Sequence, residues 1–157
     1  MAKRHPSLVS LSQDHHHGLA LALRLRQGDK ALLNDGWTHD RAEQAVRTRK
    51  FYMEGLRPHF KAEEEVLFPL MRSMLEQCSV LIDKLVTQHR ELEQLISSLS
   101  APGKSLDGIL VALGTLLDEH IRLEERQLFP QYEKGIPEEL KMKVQRKIEE
   151  VVASGGD

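Results

Sequence analysis

Two near-copies of one eleven-residue segment constrain the fold of this chain more than any other feature. The first copy runs from His59 to Pro69 and the second from His120 to Pro130. Both fit the pattern H-x3-E-E-x2-L-F-P, so six of the eleven positions are identical. Such agreement in so short a window is not expected by chance, and it includes the histidine and both glutamates of each copy.

The surrounding sequence predicts an all-α protein. Apolar residues recur at helical spacing, and alternating runs of β-branched and aromatic residues are absent. The first helix is expected to begin near Ser10, where a capping box fits, or one turn earlier, after Pro6. The other predicted helices cover about 40–68, 79–99 and 106–128, with a short extra helix at about 137–152. Four long helices with short loops predict an up-down-up-down antiparallel four-helix bundle.

Three prolines bear on the helix boundaries. Pro58 lies inside the second predicted helix, where a proline costs a backbone hydrogen bond and bends the helix. Pro69 is expected to mark where the second helix ends or kinks, and Pro130 is expected to close the fourth helix. The segment 34–38 is expected to form a turn before the second helix.

The bulk properties exclude several classes of protein. The 157 residues fit one domain, with the bundle over about 7–133. A formal net charge of -2 argues against nucleic-acid binding, which requires a basic excess. The single cysteine, Cys78, excludes an internal disulfide and a thiolate metal site. No signal peptide or membrane-spanning run is recognisable, so we expect a cytoplasmic protein without a membrane partner.

The spacing inside the repeat predicts a metal site. His59 and Glu63 are four residues apart, as are His120 and Glu124, so each pair shares one helix face. Apolar residues lie on the same faces, which should therefore point into the core. Buried carboxylates are costly and repel one another unless cations neutralise them. The repeat therefore predicts two cations bridged by carboxylates, with histidines at the outer ends.

The first and third helices contain matching residues. His89 and Glu93 are again four apart, and His15 lies in the middle of an apolar arc, with His16 at its edge as the alternative. Nitrogen and carboxylate ligands without thiolate favour iron, with manganese or zinc as alternatives. The predicted metal ligands are His15, His59, Glu63, His89, Glu93, His120 and Glu124.

The remaining glutamates of the repeat are interpreted differently. Glu64, Glu65 and Glu125 are expected on a solvated face, and the alternative for Glu64 or Glu125 is a hydrogen bond to a metal ligand. A metal-free helical interaction module is the alternative for the whole protein, although it would leave many buried polar groups to satisfy.

With this ordered set of motifs the chain resembles the hemerythrin-like, or HHE cation-binding, domains over roughly residues 7–133. The resemblance implies a non-haem centre of two Fe ions and a small diatomic ligand, oxygen or nitric oxide. Glu63 and Glu124 would bridge the irons. His15 and His59 would bind one iron, and His89 and His120 the other. No protein partner is indicated.

The chain departs from the oxygen-carrying members at two positions. Those proteins place a histidine where this chain has Glu93, and an aspartate five residues after the fourth-helix histidine, whereas Glu124 comes at the fourth. A carboxylate ligand should favour oxidised irons, so the resemblance implies sensing of oxygen, nitric oxide, iron or redox state more than oxygen carriage. A di-iron oxidase, a peroxidase-like enzyme and a role in iron–sulfur repair are the alternatives.

Overall fold

The computed structural model describes residues 3–28, 36–101 and 105–155. The described residues are 88% helical and contain no strand, which confirms the predicted fold class. Part of the predicted turn, residues 34 and 35, lies outside the described residues. The helices are α1 (Val9–Gln27, after a 3-10 turn at Pro6–Leu8), α2 (residues 41–74), α3 (Ser79–Ser98), α4 (residues 106–135) and α5 (Glu138–Ala153).

Side chains cap two of the long helices. The carboxylate of Asp40 accepts a hydrogen bond from the Ala42 amide at the start of α2, and the hydroxyl of Ser105 accepts one from Gly108 at the start of α4. The first α-helix begins at Val9, next to Ser10, which confirms the predicted start, although Leu8 and not Ser10 is its N-cap. A 3-10 turn at Pro6–Leu8 precedes it.

The prolines of the repeat do not end their helices. The expected end of the fourth helix at Pro130 is therefore wrong, and for Pro69 the alternative of a helix end is excluded. Each of the three prolines follows a five-residue π-helical turn, in which hydrogen bonds reach back five residues. In the two copies of the repeat, the amides of Phe68 and Phe129 donate to the carbonyls of Glu63 and Glu124. A wider turn just before the proline accommodates the missing N–H group, so both helices continue past it. The π turns are Tyr52–Leu56, Glu63–Leu67 and Glu124–Leu128.

Neighbouring helices run in opposite directions. Contacts near both ends of each pair establish this: Asp14–His59 and Leu25–Arg41 between α1 and α2, and Glu64–His89 and Arg72–Asp83 between α2 and α3. Since α1 and α4 are also antiparallel, the four long helices form an up-down-up-down bundle.

Two glycines allow α1 and α4 to approach closely. A Cβ atom at Gly18 would lie 2.8 Å from the Cδ1 atom of Ile121, and one at Gly114 would lie 2.7 Å from the backbone oxygen of Ala22. Both distances are shorter than a Cβ contact allows. The absence of a side chain at these positions therefore sets the separation of the two helices that carry His15 and Glu124.

The core consists of two hydrophobic clusters with a polar layer between them. One cluster includes Leu11, Phe68 and Leu85, and α5 packs onto it through Val144 and Ile148. The second cluster occupies the other part of the bundle, around residues such as Leu21, Leu92 and Leu117. The predicted metal ligands other than Glu93 lie between the two clusters. No helix in the described part is long and apolar enough to cross a membrane.

The close approach of α1 and α4 predicts that alanine is tolerated less well at Gly114 than at Gly55. Gly114→Ala should destabilise the fold by about 1–3 kcal/mol, because the added methyl group meets the backbone of α1. Gly55→Ala is the matched control, since no atom lies within 4 Å of a Cβ there. Denaturant unfolding measures both, and equal stability of the two variants would contradict the packing.

Candidate metal centre

Six of the seven predicted ligands converge in the middle of the bundle. One group of side chains brings together His15, His59, Glu63 and Glu124, and a second brings together Glu63, His89 and His120. In each group the ligand atoms lie within 4.8 Å of one another. All six residues are at most 2% exposed, so the cluster is shielded from water by the helices that carry it.

Each of the two carboxylates faces both histidine pairs. Oε1 of Glu63 lies 3.3 Å from Nε2 of His59 and 3.2 Å from Nε2 of His89. Oε1 of Glu124 lies 3.3 Å from Nε2 of His15 and 3.0 Å from Nε2 of His120. A carboxylate between two sets of histidine nitrogens is the arrangement needed to bridge two ions.

The two histidine pairs are arranged alike. The rings of His15 and His59 have centroids 4.8 Å apart at an angle of 53°, and those of His89 and His120 have centroids 4.7 Å apart at 55°. The internal repeat of the sequence is thus an internal symmetry of the site, in which α1 and α2 correspond to α3 and α4.

The outer nitrogen, Nδ1, of each of the four clustered histidines has a hydrogen-bond acceptor. Because these carboxylate and amide oxygens accept, Nδ1 of each of the four histidines donates. In the neutral imidazole, which is the form that binds a metal, Nε2 then keeps its lone pair for the interior. The pairs are His15 with Glu125 at 2.7 Å, His59 with Asp14 at 3.0 Å, His89 with Glu64 at 2.7 Å and His120 with the amide oxygen of Gln88 at 2.9 Å.

These four acceptors were not identified as a set from the sequence. Glu64 and Glu125 were expected on a solvated face, and this is wrong. The alternative, a hydrogen bond to a predicted metal ligand, is observed for both, because each reaches a histidine of the neighbouring helix. Asp14 and Gln88 were not singled out. A signal was present: each acceptor is adjacent in the chain to a predicted ligand, yet the contact runs to a different helix, which single-helix geometry does not reveal.

Aromatic rings cover the histidines. Phe60 stacks on the His89 ring with centroids 3.9 Å apart, and Phe68 lies on the same ring at 5.8 Å. In the other half Phe129 stacks on His15 at 5.4 Å. The two repeated phenylalanines, Phe68 and Phe129, therefore restrict the tilt of the imidazoles as well as filling the core.

Glu93 lies outside the cluster, unlike the other predicted ligands. Its carboxylate accepts a hydrogen bond from Arg90 at 2.8 Å, and its side chain is 34% exposed. The reason is the position of the buried face of α3. Leu85 and Leu92 lie about 40–60° to one side of His89, whereas Glu93 lies about 40° to the other side. In α1, His15 is buried and His16 is exposed.

The two buried carboxylates of the cluster have no hydrogen-bond donors among the described residues. None of the four carboxylate oxygens of Glu63 and Glu124 accepts a hydrogen bond from a described residue, and Nε2 of His15 is also without one. Burial and the charge of Glu124 raise the pKa of Glu63 well above its ordinary value. Buried groups of this kind are stable when they bind a cation. The donor set, imidazole nitrogen with carboxylate oxygen, fits iron.

The outer hydrogen bonds predict a loss of metal affinity in Gln88→Leu. Gln88 is 4% exposed, so water cannot replace its oxygen as acceptor for His120. Loss of such a partner typically weakens metal binding by about 10- to 100-fold. Chelator competition measures the affinity, and circular dichroism verifies the fold. Gln94→Leu, at an exposed position of the same helix, is the control. Equal affinities would show that the contact to His120 does not orient a ligand.

Comparisons with known proteins agree with this geometry. The family model of the hemerythrin HHE cation-binding domain matches residues 8–141, most of the chain. Searches of the curated proteins and of the solved structures found no match. The match spans all four helices of the bundle and all six clustered residues. This chain belongs to the hemerythrin HHE cation-binding domain family.

Proposed function

We propose that the protein holds two iron ions in this cluster and binds oxygen or nitric oxide there. One observation supports the proposal most directly: Glu63 and Glu124 are completely buried, and each faces one histidine from each of the two pairs. Family membership supports metal binding in general. His15 and His59 would hold one ion, His89 and His120 the other, and both carboxylates would be shared.

The number of donors favours a small ligand. One position is faced by four protein donors, from His15, His59, Glu63 and Glu124. The other is faced by three, from Glu63, His89 and His120, and Oε1 of Glu124 lies 3.0 Å from Nε2 of His120 beside it. Iron in such centres accepts further ligands and supplies reversible redox chemistry. The tight packing of the histidines with Phe60 and Phe129 limits the space beside them, which favours a diatomic molecule over a larger substrate.

The position of Glu93 changes one argument from the sequence. A carboxylate bound to iron at this position was expected to favour the oxidised state. Because Glu93 instead pairs with Arg90 outside the cluster, its charge is compensated there. Each position is then faced by two imidazoles and by the shared carboxylates, without a further charged ligand from Glu93. The structure gives no reason to expect one iron to be oxidised through Glu93.

Iron content should distinguish the bridging carboxylates from their neighbours. The wild-type protein should bind about two iron ions per chain after anaerobic reconstitution. Glu63→Ala should bind at most one, because both positions lose an oxygen donor. Glu65→Ala and Glu93→Ala are matched controls outside the cluster and should keep both ions. Elemental analysis decides, and loss of iron in either control would place the ligands on a different face.

Metal affinity should fall as the pH falls. Burial lowers the pKa of His89, but the carboxylates of Glu63 and Glu64 outweigh it and raise this pKa to about 9 in the metal-free protein. Below that pH a metal ion must displace a proton from His89, and a second from Glu63 wherever that group is protonated. Zinc affinity, measured by chelator competition, should therefore drop at least about tenfold per unit between about pH 8 and pH 6. An affinity independent of pH would contradict ligation by His89.

The binding of a diatomic ligand is tested by optical spectroscopy. Protein reduced without air is exposed to nitric oxide or oxygen, and the absorption spectrum is recorded. We expect a change in wild type and in Glu65→Ala, and its loss in Glu63→Ala. Recovery of the reduced spectrum on evacuation would show reversible binding of oxygen, and a persistent change would show oxidation of the irons. An unchanged spectrum with both gases would refute the proposal.

A further inference from the structure

A cavity of about 700 Å³ lies on the outside of the bundle, between α1, α4 and the N-terminal segment. It is separate from the metal cluster, because none of the six clustered residues lines it. Its volume is within the range of cavities that hold small organic molecules, about 300–1,000 Å³.

The lining of this cavity is strongly basic. Five cationic side chains and two carboxylates line it, an excess of three positive charges in a chain whose formal net charge is -2. The cationic residues are Lys3, Arg4, Arg122, Arg126 and Lys134. A concentration of one sign of charge in a concave site raises the local concentration of ligands of the opposite sign.

Three of these cations are not neutralised by the protein. Lys3, Arg126 and Lys134 make no ion pair with any residue in the described part of the chain. The other two are engaged: Arg122 binds Asp118 at 3.0 Å, and Arg4 binds Glu133 at 2.6 Å and Glu125 at 3.2 Å. The excess charge is therefore available to a ligand.

Arg4 is held in a fixed position in the wall. Its side chain is 10% exposed, it also donates to the backbone oxygen of Glu125, and the amide of the next residue, His5, donates to Glu133 at 2.7 Å. These contacts fasten the N-terminal segment to α4. The cavity is thus bounded by ordered residues on this side.

The cavity also has an apolar part. Leu19, Ile121 and Pro130 lie in its lining beside the cations. Leu19 and Pro130 are partly exposed, so an inorganic ion would leave them in water whereas an organic molecule would cover them. Ile121 is 1% exposed and lies beneath them. Burial of apolar surface contributes about 25 cal/mol per Å², so an apolar body adds to the affinity of a charged head group.

We propose that this cavity binds a small organic phosphate, with its head group on Lys3, Arg126 and Lys134 and its apolar portion against Leu19, Ile121 and Pro130. A phosphate monoester carries between one and a half and two negative charges at neutral pH, so it matches the excess of positive charge better than a monocarboxylate does. The ligand lies beside α4 and does not enter the metal cluster.

Direct binding of octyl phosphate, below its micellar concentration, tests the proposal. Isothermal titration calorimetry on the zinc-loaded protein should show one molecule per chain, bound at least about tenfold more tightly than inorganic phosphate. Octanol, which lacks the charge, should not bind detectably. Methyl NMR signals of Leu19 and Ile121 should shift with octyl phosphate. Zinc is diamagnetic and the experiment needs no iron, so its result is independent of the oxygen and nitric oxide measurements.

Two double variants distinguish binding in this cavity from general electrostatic attraction to the protein. Arg126→Gln with Lys134→Gln should weaken octyl phosphate binding at least about tenfold. Lys50→Gln with Arg146→Gln removes the same charge from exposed positions outside the cavity and should change the affinity less than about twofold. All four positions are exposed, so the fold should be retained. Absence of octyl phosphate binding, equal affinity for inorganic phosphate, or equal weakening by the two double variants would overturn the proposal.

Discussion

The structure depends on two carboxylates that are buried without a hydrogen-bond partner. Glu63 and Glu124 are 0% exposed, and an ionised group in such a place costs several kcal/mol unless an opposite charge compensates it. Four histidine nitrogens surround them at 3.0–3.3 Å. The arrangement of the bundle follows from this requirement, since two hydrophobic clusters, one on each side, exclude water from the layer that holds the charges.

The orientation of the histidines depends on contacts between helices. Asp14 of α1 binds His59 of α2, Glu64 of α2 binds His89 of α3, Gln88 of α3 binds His120 of α4, and Glu125 of α4 binds His15 of α1. Each helix therefore supplies an acceptor to the next, and the four contacts form a closed ring around the bundle. Displacement of any one helix changes the orientation of two histidines, which couples the packing of the whole bundle to the geometry of the ligands.

The sequence was sufficient to predict what a single helix determines. Helical periodicity predicted the four long helices, and the four-residue spacing predicted that His59 and Glu63 share a face. Contacts that depend on two helices were predicted less well: a hydrogen bond of Glu125 to a metal ligand was only the alternative, and its partner, His15, was not predicted. Glu93 shows that spacing alone is not sufficient even within one helix. Its spacing of four from His89 permits both side chains to bind one metal, but Glu93 lies away from the buried face of α3. Pro130 was expected to end α4 because the π turn before it was not predicted, and no rule of α-helical spacing indicates such a turn.

Every identical position of the repeat has the same structural task in both halves. The histidine and first glutamate enter the cluster, the second glutamate orients a histidine of the neighbouring helix, and the phenylalanine covers that same histidine. The leucine fills the core, and the proline follows a π turn.

The two halves of the site differ at positions outside the repeat. Asp14 presents a carboxylate to His59, whereas Gln88, at the corresponding place, presents a neutral amide to His120. A charged acceptor makes an imidazole more basic, so the position held by His15 and His59, with two carboxylate acceptors, is the more electron-rich of the two. The symmetry of the site is therefore geometric and not electronic, and the two ions it would hold are chemically distinct.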